Sequence, residues 1–241
     1  MILPRHTHGM SDADAPGDAL FQQVNRELVE CRRCPRLVEW RERVAREKRA
    51  AFRDQEYWGR PVPGFGDPAA GLLILGLAPA AHGGNRTGRI FTGDRSGDWL
   101  FGSLWRTGFA NQPTSVARGD GLALRNCYIT APVKCAPPEN KPLPEERANC
   151  APWLERELAL LETIRVVVAL GDFAWDTALR HLGPVRPKPR FGHAAEAPLP
   201  AGRTLLGSYH VSQQNTNTGR LTEAMLDGVL LRARELLQAS G

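Results

Sequence analysis

Four of the five cysteines in this chain are spaced as metal ligands commonly are. Cys31 and Cys34 form the close pair of CRRCP, Cys135 follows far along the chain in VKCAPP, and Cys150 ends a polar stretch. Two close thiols and two distant ones can bind either a zinc ion or an iron–sulfur cluster, and the spacing leaves both metals open. Cys127 lies inside the apolar segment CYITA, which predicts a small core residue.

Three loops rich in Gly, Asn, His and Pro carry the remaining candidates for chemistry. They read GLAPAAHGGNRTGRIFTGD from Gly76, PVKCAPPEN from Pro132, and HVSQQNTNTGR from His210. The first loop lacks both the G-x-G-x-x-G fingerprint and the G-K-[ST] ending of a P-loop, which argues against a nucleotide-binding site of either kind. Glycine-rich backbone can still approach a phosphate or a flat base closely.

Strands that alternate with helices are predicted to position these loops. The apolar runs predict strands at 72–77, 127–131, 166–170 and 204–210, and helical spacing predicts helices at 19–30, 37–52, 99–105, 145–161, 173–182 and 221–237. Such alternation indicates parallel pairing through right-handed crossovers. We therefore expect a three-layer α/β/α sandwich with a central, mostly parallel sheet and an N-terminal annex that carries cysteines. The carboxyl ends of the strands would bring the three loops together.

Composition and charge bound the class of protein. The chain has 241 residues, of which 42% are hydrophobic and 24% charged, and its apolar runs are too short to cross a bilayer. We expect a disordered leader over residues 1–18, a single domain over 19–241, a monomer and a cytoplasmic location with reduced thiols. The net charge of +5 favours polyanionic partners only weakly. The basic run Arg41–Arg49 fits a solvated helix face as well as a DNA contact.

The three loops resemble, in order, the three motifs of family 5 uracil-DNA glycosylases. The resemblance extends from about Cys31 to the closing helix. It implies an enzyme that flips uracil, and other deaminated bases, out of DNA and hydrolyses the N-glycosidic bond to leave an abasic site. Many members of the superfamily carry a polar, water-activating residue where this chain has Ala78, and the absence of an acid there is typical of family 5.

The resemblance also implies roles for three polar residues. Asp94 and Asn140 would lie nearest the sugar and the attacking water, and His210 would donate a hydrogen bond to uracil O2. A donor at that oxygen stabilises the negative charge that develops on the departing base.

Further residues are implied as substrate contacts. Phe91 matches the aromatic residue on which the flipped base stacks, and Asn85 is an additional polar candidate beside Ala78. Gln213 and Gln214 lie in a polar loop that could fill the gap left by the flipped base. His82, in the first motif, fits a structural hydrogen bond as well as a substrate contact.

The resemblance assigns Cys31, Cys34, Cys135 and Cys150 to a structural [4Fe–4S] cluster, so the annex would be an iron–sulfur annex. One alternative is a non-catalytic iron–sulfur or zinc protein that binds nucleic acid, because Ala78 lacks the acid of other families. The presence of Asp94, Asn140 and His210 argues against it. An electron carrier is disfavoured because Cys34 and Cys135 are far apart in sequence.

Overall fold

A computed structural model describes residues 16–239 of the chain. Residues 1–15 of the leader predicted over 1–18 lie outside this range, and residues 16–18 belong to the first helix. The helices are α1 (Pro16–Val29), α2 (Pro35–Glu47), α3 (Gly84–Thr87), α4 (Arg95–Arg106), α5 (Pro144–Leu160), α6 (Asp172–His181), α7 (Gln213–Asn217) and α8 (Glu223–Ala239). The strands are β1 (Phe65–Gly66), β2 (Leu72–Leu75), β3 (Cys127–Thr130), β4 (Val166–Leu170), β5 (Glu196–Leu199) and β6 (Arg203–Ser208).

Within residues 16–239, one six-stranded sheet has the strand order β1-β3-β2-β4-β6-β5. The four inner strands run parallel, and β1 and β5 pair antiparallel at the two edges. The prediction of a mixed α/β fold around a mostly parallel sheet is confirmed. The edge strands escaped prediction because β1 has only two residues and β5 contains Pro198, so neither shows an apolar run.

Helices cover both faces of the sheet because its inner strands are buried on both sides, as strands in parallel sheets usually are. Every residue of β2, β3 and β4 is buried. On one face the strands pack against α4 and α8, and on the other against α1, α5 and α6. None of the described helices is long and apolar enough to cross a membrane.

Helix α2 and the turn after it depart from the predicted helix at 37–52. The helix ends at Glu47 because Lys48 adopts a left-handed φ of 56°, and the chain resumes as a 3-10 turn at Ala50–Phe52. This break turns the chain toward the first glycine-rich loop. Trp58 and Gly59 donate backbone hydrogen bonds to α3 within that loop.

Candidate active site

Phe91 and His210 face one another near the carboxyl ends of β2 and β6. Their ring centroids are 6.3 Å apart at an interplanar angle of 40°. Phe91 adopts a φ of 51°, which is uncommon for a bulky residue, and its ring lies against Gly76. A Cβ at position 76 would come within 2.8 Å of the ring, so the strand end requires glycine there. Two loops distant in sequence are thus joined by an aromatic contact.

His210 is held as a neutral imidazole. Burial lowers the pKa of its ring to about 4, because desolvation disfavours the charged form. The side chain of Asn215 donates to the His210 carbonyl at 2.9 Å and fixes the loop. At neutral pH a ring N–H of His210 can therefore donate to an acceptor without carrying a charge.

Asp94 is the N-cap of α4 and accepts a hydrogen bond from the Gly97 amide at 3.0 Å. Burial raises the pKa of its carboxyl, and the backbone hydrogen bonds from Gly97 and Ser96 offset part of that rise. Gly83 lies directly against the other carboxylate oxygen, where a Cβ would collide. Asp94 is thus a fixed carboxylate that binds a proton more readily than an exposed aspartate does.

One cleft gathers Asp94, Asn140 and Gln213 from three different loops. We call it the Asp94 cleft; its lining also includes Trp40, Arg49, Phe52, His82, Arg95 and Glu139. Asn140 is exposed and has a left-handed φ of 57°, so it projects from the end of the turn Pro138–Asn140. The predicted convergence of the three loops is observed for these residues.

Other predicted contacts lie outside this cleft. Ala78 is half-buried in the first loop, and Gln214 is exposed on α7 beside Gln213. Asn85 is fully buried, and its amide donates to the Arg41 carbonyl at 3.1 Å. The structure therefore does not bring Asn85 to the cleft, because this side chain ties α3 to α2.

Sequence reasoning missed several residues of the cleft. Trp40 of α2 and Phe52 of the turn after it line the cleft, and no motif marked them. Arg49 ends the basic run Arg41–Arg49, which fits a DNA contact as well as a solvated helix face. Tyr57 lies behind the cleft, where its hydroxyl is 3.0 Å from His82 Nδ1. Tyr57 follows a polar turn and opens a loop rich in Gly and Pro, so no periodicity could have placed it against a residue of the first motif.

The four predicted ligand cysteines line one small apolar cavity between α1, α2, the end of β3 and α5. Arg41 donates to Cys135 Sγ at 3.1 Å, and the Lys134 amide donates to Cys150 Sγ at 3.3 Å. Burial raises the pKa of the Cys135 thiol to about 12 and of the Cys150 thiol to about 11.

Within residues 16–239, no group of three or more His, Cys, Asp or Glu side chains is arranged to hold a metal ion. Cys127 is fully buried in β3, away from the cavity, as the sequence predicts.

Comparison with known proteins assigns the family. The model of the uracil DNA glycosylase superfamily matches residues 63–233. The chain is 57% identical over 224 residues to the Type-5 uracil-DNA glycosylase of Mycobacterium bovis, covering 92% of this chain and 84% of that protein. It is 56% identical over 209 residues to the Thermus thermophilus Type-5 enzyme, covering 87% and 94% of the two chains. A Type-4 uracil-DNA glycosylase of Pyrobaculum aerophilum is 37% identical over 117 residues, 48% of this chain and 52% of that protein. The chain belongs to the uracil DNA glycosylase superfamily.

Proposed function

We propose that this protein is a type-5 uracil-DNA glycosylase, which extrudes uracil from DNA and hydrolyses its N-glycosidic bond to leave an abasic site. The observation that carries this proposal is the convergence of three motif loops at the carboxyl edge of the sheet, in a chain 57% identical to a Type-5 uracil-DNA glycosylase. A non-catalytic nucleic-acid-binding protein is not favoured, because relatives that are 55–57% identical over most of the chain bear the enzyme's name.

Stabilisation of the departing base is the first chemical task. Phe91 provides a flat face for the extruded uracil, and His210 donates to its O2 as negative charge develops there. The neutral state of His210 suits this role, because a neutral donor in a buried site stabilises the developing charge without the cost of desolvating an imidazolium.

Handling of water and sugar is the second task, because Ala78 has no side chain that can activate water. Asp94 and Asn140 line the same cleft from opposite loops. Asp94 orients a water and, as a carboxylate, favours the positive charge that develops on the sugar. Asn140 contributes an amide that can donate and accept. Gln213 and Gln214, at the start of α7, fill the place of the flipped nucleotide.

The activity is tested with oligonucleotides that carry a single uracil, hypoxanthine or xanthine, incubated with excess protein and then treated with alkali. Strand scission at uracil is expected, and undamaged DNA serves as the control. An intact uracil strand after incubation with folded protein would contradict the proposal. The other two bases define how many deaminated bases the site accepts.

We propose a [4Fe–4S] cluster as the resident cofactor, because four cysteine thiols are the ligand set that such a cluster takes. Four thiols meet in one cavity walled by Leu28, Leu37 and Trp153, and N–H groups of Arg41 and Lys134 point at two of the sulfurs. Hydrogen bonds of this kind stabilise thiolates, which iron requires. The cluster would tie α2 to α5 and supply no step of the hydrolysis.

Metal analysis and visible absorption of purified protein test the cofactor. The protein is expected to be brown, and Cys135→Ala is expected to lose the colour and to fold poorly. Cys127→Ala is the matched control and should keep both colour and fold, because Cys127 lies outside the cavity. Colourless protein with stoichiometric zinc would rule out the cluster.

A further inference from the structure

His82 has a ring nitrogen available to a ligand of the Asp94 cleft. Its Nδ1 is 3.0 Å from the Tyr57 hydroxyl, and the ring lines the cleft beside Asp94. Nε2 has no hydrogen-bond partner among the described residues. It is also not one of the fully buried polar atoms that lack a partner. No step proposed for the hydrolysis uses this nitrogen.

The hydrogen bonds of the Tyr57 hydroxyl bear on what His82 can offer. The Tyr57 hydroxyl accepts a hydrogen bond from the Arg49 amide at 3.4 Å, and its single proton can be donated to Nδ1 of His82. When the hydroxyl donates, Nδ1 is the acceptor and the proton of the neutral imidazole is on Nε2. Burial and the nearby Arg49 and Arg86 lower the pKa of His82, which favours the neutral ring at pH 7. In this tautomer the ring presents one uncharged N–H to the cleft.

Two arginines line the same cleft with their charges uncompensated. Neither Arg49 nor Arg95 forms an ion pair with any residue between 16 and 239, although many other arginines of the chain are paired. The cleft also contains the exposed Glu139, which pairs with Lys141 at 3.5 Å. One neutral ring N–H and two free guanidinium groups suit an oxygen-rich anion.

We propose that His82, Arg49 and Arg95 form a subsite for a backbone phosphodiester of DNA next to the extruded nucleotide. The subsite rests on the proposed function, since Asp94 and Asn140 in the same cleft are assigned to the sugar of that nucleotide. A phosphate is attached to each side of that sugar, so a residue beside the sugar is within reach of one. Tyr57 is the positioning residue, because its hydroxyl contacts both the His82 ring and the Arg49 backbone.

The two arginines and His82 should differ in how their contribution to DNA binding depends on salt concentration. Arg49→Gln and Arg95→Gln are each expected to reduce the slope of log affinity against log salt, and the double variant is expected to reduce it by about 1, because the two arginines together neutralise one phosphate. His82→Ala is expected to weaken binding about tenfold with an unchanged slope, since a neutral donor displaces no counterion. Arg53→Gln is the matched control, because Arg53 is exposed nearby and outside the cleft.

Tyr57→Phe distinguishes positioning of His82 by the Tyr57 hydroxyl from packing of the Tyr57 ring. It keeps the ring and removes only the hydroxyl, so His82 can take either tautomer. We expect weaker binding than in the unaltered protein, and we expect Tyr57→Phe with His82→Ala to bind no worse than His82→Ala alone. Additive losses in the double variant would show that Tyr57 does not act through His82.

The decisive experiment changes the DNA. A cleavage-resistant fluorinated deoxyuridine is placed in oligonucleotides with an uncharged methylphosphonate on its 5′ or its 3′ side, and binding is measured for each variant. On one of these two oligonucleotides, His82→Ala and Arg49→Gln are expected to bind as well as the unaltered protein, because the acceptor they would contact is gone. Variants that keep their full defect on both oligonucleotides, or show none on ordinary DNA, would overturn the subsite. Cleavage of ordinary uracil DNA is read separately, so failure of the proposed function is distinguishable.

Discussion

At the scale of single residues, Asp94 combines two demands that usually fall on different side chains. Its carboxylate caps α4 through the Gly97 amide, and it also lines the cleft assigned to water and sugar. The cap fixes the carboxylate in one orientation, while burial raises its pKa. The first turn of α4 therefore sets both the geometry and the proton affinity of this group.

The rate of uracil release should fall on the acid side as Asp94 becomes protonated. Because its pKa is raised, the midpoint of that fall is expected above the ordinary value of 3.8. Asp94→Asn should be slower, and its rate should stay constant as the pH falls until His210 is protonated near pH 4. Single-turnover rates across pH 4 to 8 provide the measurement, and an unchanged acid limb in Asp94→Asn would show that the Asp94 carboxylate does not orient the water or stabilise the sugar cation.

His210→Ala is expected to slow single-turnover cleavage of uracil DNA by about 10²–10³-fold, as the loss of one well-aimed transition-state donor typically does. Asp94→Ala and Asn140→Ala should each slow the same step. Their double variant should lose less than the product of the single losses, because both residues serve one water and one sugar. Near-normal rates in both single variants would show that water is handled elsewhere in the first motif.

At the scale of elements, β3 and α5 are joined by a buried ion pair at the foot of the cysteine cavity. Lys134 Nζ lies 2.5 Å from Glu157 Oε2, and the other carboxylate oxygen accepts from Tyr128 and from the Gly64 amide. Lys134 immediately precedes Cys135, one of the proposed cluster ligands. The pair fixes the direction in which the chain leaves β3 toward that cysteine.

Glu157→Gln should destabilise the protein by about 3–5 kcal/mol, because it leaves the Lys134 charge buried without a partner. The midpoint of thermal unfolding measures this loss. Glu155→Gln is the control on the same helix, since Glu155 is 59% exposed and pairs at the surface with His181. Equal midpoints for the two variants would mean that the buried pair contributes little.

How much the sequence predicts depends on the length of each element. The inner strands were predictable because runs such as VVVAL are buried on both faces, and the meeting of Asp94 with Asn140 followed from the rule that parallel strands end at one edge. Helices α3 and α7 were not predicted, because one turn of helix carries no periodicity. The contact of Arg41 with Cys135 joins residues far apart in sequence, and such pairings leave no local pattern.

At the scale of the whole molecule, stability should decline in two steps as the pH falls. Burial lowers the pKa of His210 from its ordinary value of 6.5 to about 4, so the stability that its neutral form contributes is complete above pH 6.5 and is lost toward pH 4. Burial raises the pKa of Asp120, but hydrogen bonds from Arg89 and from backbone amides outweigh burial and lower it. The stability that Asp120 contributes is therefore lost only below its ordinary pKa of 3.8. Urea midpoints from pH 8 to 3 measure the first step and the onset of the second, and His210→Gln should flatten the first alone.

The two antiparallel edge strands have a consequence for self-association. An open sheet edge exposes unpaired amides and carbonyls that can recruit a strand from another molecule. Here β1 ends after two residues, and β5 carries Pro198, which has no N–H, together with Glu196 held by Arg232 of α8. A foreign strand would find few donors in register on either side. The sheet is thereby protected against edge-to-edge aggregation.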